Sequence, residues 1–372
     1  MEEKLYYLAF SLAPGIGPKR FESLLLHFGT AQDAWKGNEK EFSQVGVGKA
    51  TFAQFNAFRN SFDFKSHQDK LSNKNVQFIS RIDSAYPLVL KAIDNPPIGL
   101  FVKGDIASIE FAKTIGVVGT RKMTGYGSEV TEQLVSDLVS YGLVIVSGLA
   151  LGIDAIAHKT AVDSGGKTIA VLGCGVDCCY PRENEHIYRH ILESGGAVVS
   201  EYPLSQKPSR GTFPARNRII AGLSNGVLVT EAGADSGALI TAEYARAQSK
   251  PVFAVPGPIT SQQSVGTAQL IKQGALLIQN ANDILTHFGI NQRLSKKAHI
   301  SFDSLPLSSE EKNILHALSQ EELHVDDLSK KTHIDMSLLN QLLSSLELQG
   351  LVRNVGQGVV GISLNGNQSI GV

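Results

Sequence analysis

The middle of the chain alternates short apolar runs with amphipathic segments. Residues 115–118 and 143–146 are apolar, rich in β-branched side chains and too short for helices, which predicts two buried strands. Between them, apolar residues recur on one helical face, which predicts a helix that packs against a sheet. These elements form one βαβ unit. The apolar positions of its helix are Val130, Leu134, Val135, Leu138 and Val139.

The same alternation continues along the chain. Further apolar runs occupy residues 168–172, 197–200, 226–230, 252–255 and 275–278, with helical segments between them. This order predicts the α/β class, with an extended, Rossmann-like, doubly wound parallel sheet of about seven strands. In such a sheet the loops that bind ligands follow the carboxyl ends of the strands.

The two ends of the chain carry other patterns. Near the start, Gly15-Ile16-Gly17 and Gly46-Val47-Gly48 separate helical segments, which is typical of a helix-hairpin-helix or SAM-like domain. Such a turn either presents N–H groups to a nucleic-acid phosphate or only joins two packed helices. We predict a helical domain at 1–80, the Rossmann domain at 81–288, a polar linker at 289–306 and a winged-helix domain at 307–364.

The predicted winged helix is acidic. It begins with a capping box at Ser308-Ser309-Glu310-Glu311 and ends in a hairpin that turns at Gly356-Gln357-Gly358. Its third helix, the recognition helix of a DNA reader, has no lysine or arginine, and residues 307–364 carry four basic and eight acidic side chains. Because this charge repels phosphate, we expect the domain to bind protein or to regulate the Rossmann site.

Composition and charge limit the possible functions. The 372 residues are 42% apolar and 19% charged, as in a soluble globular chain, and the net charge of −1 means that DNA binding needs a local basic patch. The acidic N-terminus with its short apolar run leads us to expect no signal peptide, and no apolar run approaches the roughly 18 residues of a membrane span. Cys174, Cys178 and Cys179 have neither disulfide-framework nor metal-ligand spacing. We therefore expect a cytoplasmic protein with no metal, cofactor or membrane partner.

The turn after the first strand of the βαβ unit is rich in glycine but lacks a nucleotide fingerprint. Its sequence, G-T-R-K-M-T-G-Y-G from Gly119, is neither G-x-G-x-x-G nor G-x-x-x-x-G-K-[ST]. A second turn follows at Ser147-Gly148, and paired turns at one sheet edge present N–H groups to phosphate. Arg121 within the first turn favours a polyanion held by side-chain charge as well. The alternative is a surface arginine beside an ordinary Rossmann turn.

Longer motifs carry a family resemblance. In chain order they are GTR…YG, VSGLALGIDAIAH, TIAVLGCGVDCCYP, SEYP, FPARNRIIAGLS, EAGADSGALITAEYA, VFAVPG and LIKQGA. Through them the chain resembles the DNA-processing protein A family (DprA, also called Smf) over essentially its whole length. The resemblance implies a Rossmann domain that binds single-stranded DNA without sequence preference and forms a homodimer. It also implies RecA recombinase as a partner, which the family loads onto incoming strands in natural transformation while it protects them from nucleases.

The predicted DNA site collects residues from several loops at one sheet edge. The resemblance implies that Arg121 and Arg210 contact the strand, and Phe213 between basic residues offers a ring for base stacking. Arg216 and Arg218 either contact phosphate or form an internal salt-bridge network with Glu201 or Glu231, and Phe213 is alternatively a core residue. The predicted DNA-binding residues are Gly119, Thr120, Arg121, Lys122, Gly148, Lys207, Arg210, Phe213, Arg216, Asn217, Arg218, Ser236 and Gly237.

An enzyme is the competing hypothesis. Glu201 and Glu231 at strand ends suggest general acid–base chemistry, and the sheet is similar to that of phosphoribohydrolases that cleave nucleoside monophosphates. That family carries P-G-G-x-G-T-x-x-E, whereas this chain has E-A-G-A-D-S-G-A-L. Asp154 and His158 share a helix face without a nucleophile or metal-ligand spacing. We therefore predict no catalytic residues.

Overall fold

The computed structural model describes residues 2–290, 307–319, 322–356 and 358–362. The chain divides into two compact units, Met1–Asn291 and Gln292–Val372. The predicted linker at 289–306 lies outside the described residues from 291 onward. In the described part, no helix combines the length and the apolar character that a membrane crossing requires.

The first unit begins with a helical region that packs around aromatic rings. The Phe10 ring stacks on Phe55 at 5.4 Å between centroids, and Trp35 meets both rings edge-on. Both predicted glycine turns join helices, because Gly17 precedes the second helix and Gly48 precedes the fifth. The helices are α1 (Glu3–Leu12), α2 (Pro18–Phe28), α3 (Ala31–Lys36), α4 (Glu39–Gln44), α5 (Lys49–Ser61) and α6 (Phe64–Asn73).

A nine-stranded sheet follows, in the order β1-β2-β6-β5-β4-β3-β7-β8-β9. The seven predicted strands are all present and parallel as β3 to β9. The segment 77–105 adds two antiparallel strands, β1 and β2, so the sheet begins just before the predicted boundary at residue 80. The strands are β1 (Gln77–Ser80), β2 (Gly99–Gly104), β3 (Thr114–Val118), β4 (Val144–Ser147), β5 (Thr168–Val171), β6 (Ala197–Ser200), β7 (Val227–Val229), β8 (Val252–Ala254) and β9 (Leu276–Leu277).

Helices cover both faces of the sheet and bury its apolar strands in separate clusters on the two sides. The chain builds outward from β3 to β6 on one side and then crosses to β7 on the other. A reversal of this kind opens a crevice at the carboxyl ends of the central strands. The helices are α7 (Leu88–Lys91), α8 (Gly125–Ser140), α9 (Ile153–Asp163), α10 (Glu185–Glu193), α11 (Thr212–Leu223), α12 (Gly237–Ala247), α13 (Val265–Lys272) and α14 (Ala281–His287).

The second unit is the predicted winged helix. Ser308 and Glu311 form the expected capping box at the start of its first helix. Leu315, Leu328 and Leu339 are fully buried in its core. Gln357 of the predicted hairpin turn lies outside the described residues. The elements are α15 (Ser309–Leu318), β10 (Leu323–His324), α16 (Val325–Thr332), α17 (Met336–Leu348), β11 (Val352–Gly356) and β12 (Val359–Ile362).

Candidate nucleic-acid interface

Two loops that are distant in sequence leave the sheet at the same edge. Residues 119–124 follow β3, and residues 201–211 follow β6, which lies three positions away in the same parallel part of the sheet. Loops at the carboxyl ends of parallel strands share one edge. The predicted convergence of these loops is therefore present.

The loop after β3 is held in place by Glu231, which follows β7. The Thr120 N–H donates to the Glu231 carbonyl at 2.7 Å. The Glu231 carboxylate accepts from the Thr124 N–H at 2.9 Å and from the Thr124 hydroxyl at 2.6 Å. Thr120 and Glu231 are both buried, whereas Arg121 and Lys122 are exposed. These hydrogen bonds hold the buried part of the loop in place, and the exposed part carries the two cationic side chains.

Gly152, just before α9, allows this loop to approach the second glycine turn closely. Its φ angle is +77°, and a Cβ atom here would collide with the Thr120 carbonyl and the Arg121 backbone. A larger residue would be strained and would push the Arg121 loop outward.

Arg121 and two aromatic rings form one cluster. The Arg121 guanidinium carbon lies 5.5 Å from the centre of the Phe213 ring, within the range of a cation–π contact. The Tyr180 ring lies 5.6 Å from Phe213 and is 45% exposed. Phe213 itself is half-buried, so it anchors its loop and still borders the surface. Tyr180 was not among the predicted contact residues, although it lies in the loop that follows β5.

The surface around this cluster is basic. Arg121, Lys122, Lys207 and Arg210 are all exposed. Among the residues that the structure describes, none of these four lies within ion-pair distance of a carboxylate. Their charges are therefore available to an anionic ligand, on a chain whose net charge is only −1.

Arg218, which we had placed among the phosphate contacts, lies in the interior. Its Nη2 atom is 2.5 Å from the Glu201 carboxylate, and the two side chains are only 9% and 12% exposed. Burial raises the pKa of Glu201, and the charge of Arg218 opposes that shift. Because a buried cation needs an opposite charge, the salt-bridge alternative is correct for Arg218, with Glu201 as its partner.

Arg216 and Gly148 are also interior, contrary to the expectation that they contact DNA. Arg216 donates to the carbonyls of Gly148 and Val171. The Gly148 N–H donates to the Asp154 carboxylate at 3.1 Å, and the Ala150 N–H is 3.4 Å from the same oxygen. Burial lowers the pKa of Arg216, and the negative charge of Asp154 opposes that shift. Burial raises the pKa of Asp154, and the positive charge of Arg216 opposes that shift. A carboxylate of the protein therefore holds the N–H groups that we had assigned to phosphate.

The remaining predicted residues lie around the start of α12. Ser236 caps this helix as predicted, because its hydroxyl accepts from the Ala238 N–H at 3.4 Å. Gly237 is exposed, and Gly119 and Ser236 are half-buried. Asn217 is buried, and its side chain donates to the Gly237 carbonyl at 3.2 Å, so it is a structural link. The accessible backbone at this edge therefore comes from Gly119 and the Ser236-Gly237 turn.

The titratable groups beneath this edge are engaged internally. His158 is fully buried with its Nδ1 atom 2.7 Å from the Thr168 hydroxyl, and burial lowers its pKa to about 3. Burial raises the pKa of Cys174 to about 12 and that of Cys179 to about 11, so both thiols stay protonated. Within the described ranges, no group of three or more histidine, cysteine or acidic side chains is placed to hold a metal ion.

Two family profiles match the chain. The profile described as "DNA recombination-mediator protein A" matches residues 77–289, and the profile described as "DprA winged helix domain" matches residues 302–358. The first covers the whole nine-stranded sheet and both loops of the basic edge.

Individual relatives agree with these matches. Protein Smf from Synechocystis is 41% identical over 77% of this chain and 73% of its own length, and Protein Smf from Escherichia coli is 37% identical over 81% and 82%. The X-ray structure of DNA processing protein A from Streptococcus pneumoniae superposes with a TM-score of 0.66 at 35% identity, and covers 77% of this chain and 98% of that one. The structure of DNA processing protein A from Helicobacter pylori, which is described for its single-stranded DNA binding mode, superposes with a TM-score of 0.51 at 30% identity. It covers 58% of this chain and 96% of that one.

Proposed function

The chain belongs to the DNA recombination-mediator protein A family, also named DprA or Smf, and on that premise we propose that it binds single-stranded DNA at the carboxyl edge of its nine-stranded sheet. The relative from Helicobacter pylori is described as binding single-stranded DNA, and it shares the fold of this sheet. We name Arg121, Lys122, Lys207, Arg210 and Phe213 as the contact residues, with N–H donors from Gly119 and Gly237. The Ser236 N–H donates to the Gly233 carbonyl at 3.2 Å.

The contact between Arg121 and Phe213 is the observation that carries this proposal. It places a phosphate-binding charge beside rings on which bases can stack. Phosphate contacts and stacking carry little sequence information, because every nucleotide has a phosphate and every base has a π face. Binding without sequence preference follows from this chemistry.

The proposed role in recombination rests on family membership. We propose that the protein protects incoming strands and loads RecA recombinase onto them in natural transformation, as a cytoplasmic protein without catalytic activity. The two strand-end carboxylates agree with this proposal, because Glu201 pairs with Arg218 and Glu231 holds Thr124. Neither carboxylate is left to act as a general acid or base.

A homodimer through the Rossmann domain is part of the proposal. At the open edge of the sheet, β9 exposes 41% of Leu276 and 47% of Leu277, and nearby Val265 is 41% exposed. Exposed apolar side chains on an edge strand favour association. We expect Leu277→Glu to convert a dimer to a monomer in light scattering, whereas Leu348→Glu on the winged helix leaves the mass unchanged.

Fluorescence anisotropy tests the DNA site. A labelled single strand and a duplex of the same sequence are titrated over a salt series with the native chain and with an Arg121→Ala, Arg210→Ala double variant. The charge-matched control is Arg189→Ala, Lys272→Ala, two exposed residues on α10 and α13. We expect tight, salt-dependent single-strand binding that only the site variant loses.

Other outcomes separate the alternatives. Binding that survives the site variant would move the site elsewhere in the chain. Absence of binding to either DNA would contradict the proposal and favour a nucleotide enzyme, for which release of base from nucleoside monophosphates is the assay. Loading is measured separately as RecA ATP hydrolysis on strands coated with single-strand-binding protein. We expect the native chain to accelerate this hydrolysis and the site variant not to accelerate it.

A further inference from the structure

A groove of about 580 Å³ lies between α2 and the segment that joins β1 to β2. The α2 side contributes Lys19, Glu22 and Leu25, and the joining segment contributes Arg81, Lys91 and Asn95. None of the predicted DNA contacts lines it. The proposed DNA site therefore does not account for this groove.

Arg81 in this groove has an unused hydrogen-bond donor. It is only 8% exposed, its Nη1 atom pairs with Glu22 at 2.6 Å, and its guanidinium lies over the Phe21 ring. Its Nη2 atom is buried and has no hydrogen-bond partner in the described chain, and the same is true of the Asn95 Oδ1 atom. A ligand in the groove can satisfy both atoms if it supplies an acceptor to Arg81 and a donor to Asn95.

The charges around the groove favour an anion. Lys19 and Lys91 are exposed on opposite sides of the groove. Together with Arg81 they supply three positive charges, and Glu22 and Asp94 supply two negative charges, so the lining has a net charge of +1. The α2 helix begins at the groove with Pro18, and the preceding Gly17 provides no side-chain cap. The partial positive charge of this helix start adds to the attraction. Leu25, Ile93 and Pro96 give the groove an apolar wall.

The groove lies at the same sheet edge as the basic cluster. Strand β1 is antiparallel to β2, and β2 is antiparallel to β6, so β1 and β6 run in the same direction. Arg81 directly follows β1 just as Glu201 directly follows β6. The two strands are two positions apart, which is about 10 Å at the usual strand spacing. The charges of Arg81 and Arg218 both act on Tyr86.

We propose that this groove binds a further nucleotide of the same single strand, so that the strand crosses the sheet edge from the Phe213 cluster towards α2. Arg81, Lys19 and Lys91 take its phosphate, the Asn95 Oδ1 atom accepts from a base N–H, such as N3–H of thymine, and the apolar wall contacts the base. This inference rests on the proposed single-strand binding.

A length series tests the inference. Affinities for oligothymidylates of about 6 and about 20 nucleotides are measured over a salt series, the first near the lower end and the second above the roughly 4–16 nucleotides that one OB fold covers. The variants are Lys19→Ala, Lys91→Ala and the charge-matched control Lys40→Ala, Lys70→Ala, which removes two exposed lysines outside the groove. We expect the groove variant to bind the long strand about tenfold more weakly, with a salt slope smaller by up to about 0.7 for the one phosphate that the groove holds, and to bind the short strand normally.

The outcomes distinguish the groove from the main site. If the groove variant binds the long strand with native affinity and salt slope, the groove inference is wrong, whereas the loss caused by Arg121→Ala, Arg210→Ala on both lengths still supports the main site. Absence of that loss contradicts the proposed function instead. Thermal stabilisation by thymidine monophosphate that the groove variant lacks, together with normal long-strand binding, would assign the groove to free nucleotides and overturn the inference.

Discussion

The guanidinium carbon of Arg121 lies 5.5 Å from the centre of the Phe213 ring, although the two residues follow different strands of the sheet. The contact joins the loop after β3 to the start of α11. Charge and aromatic surface therefore form one unit, and their contributions to binding can be separated by substitution.

The planar shape of Arg121 should matter as well as its charge. Lysine retains the charge but loses the flat guanidinium that covers the ring. We expect Arg121→Lys to keep the native salt slope and to weaken single-strand binding by about 0.5–1 kcal/mol. Arg121→Ala should in addition lower the salt slope by about 0.7. Anisotropy over a salt series measures both quantities. Native affinity in Arg121→Lys would contradict the contribution of the ring contact, and a native salt slope in Arg121→Ala would contradict the phosphate contact.

Removal of the Phe213 ring should weaken binding without changing its salt dependence. We expect Phe213→Ala to reduce affinity by about 1–3 kcal/mol per stacked base, and Phe213→Tyr to retain most of it. Tyr180→Ala should have a smaller effect in the same direction. Because Phe213 is half-buried, thermal melts of each variant serve as the control for folding. A purely structural Phe213 would lower the melting temperature and leave the affinity of the folded protein unchanged.

Removing one partner of the Glu201–Arg218 pair should destabilise the fold. Glu201→Gln leaves the Arg218 charge buried without a counter-charge, so we expect the free energy of unfolding to fall by about 3–5 kcal/mol in urea titrations. Glu201→Leu combined with Arg218→Met should recover most of that loss. The control is Glu110→Gln in the exposed pair with Lys113, where a change below about 1 kcal/mol is expected. A similarly small change at Glu201 would contradict the interior assignment.

His158 should make the protein less stable in acid. Burial and the charge of Arg216 lower its folded-state pKa to about 3, while in the unfolded chain it titrates near 6.5. Below pH 6.5 the unfolded state therefore binds one more proton. Stability from this residue is complete above that pH and declines towards pH 3, by up to about 1.4 kcal/mol per pH unit. Urea titrations between pH 7 and 4 should show a shallower decline for His158→Gln, and equal slopes would argue against this assignment.

The winged helix should contribute little to DNA affinity. Residues 307–364 carry twice as many acidic as basic side chains, and the described α17 has neither lysine nor arginine. We expect residues 1–290 alone to bind a single strand at least as tightly as the full chain in the same anisotropy assay. A loss above about tenfold would show that the winged helix binds DNA despite its charge.

Local sequence determined the elements of this protein. All seven parallel strands were predicted from apolar runs. The reason holds for β3 to β8, which are buried throughout, because a strand buried on both faces requires consecutive apolar residues. The helix caps at Ser236 and Ser308 were predicted because capping depends on neighbours within three residues. β1 was missed because the prolines of segment 77–105 suggested a connector, whereas Pro87, Pro96 and Pro97 lie between β1 and β2.

Only the tertiary structure decided which basic residues face outward. Arg210, Arg216 and Arg218 lie close together in the sequence, yet the first is exposed and the other two are buried. Their partners, Asp154 and Glu201, follow other strands, as does Tyr180, which completes the aromatic cluster. Burial of a charge depends on what the whole chain places around it, and this is a long-range property that spacing along the sequence does not contain.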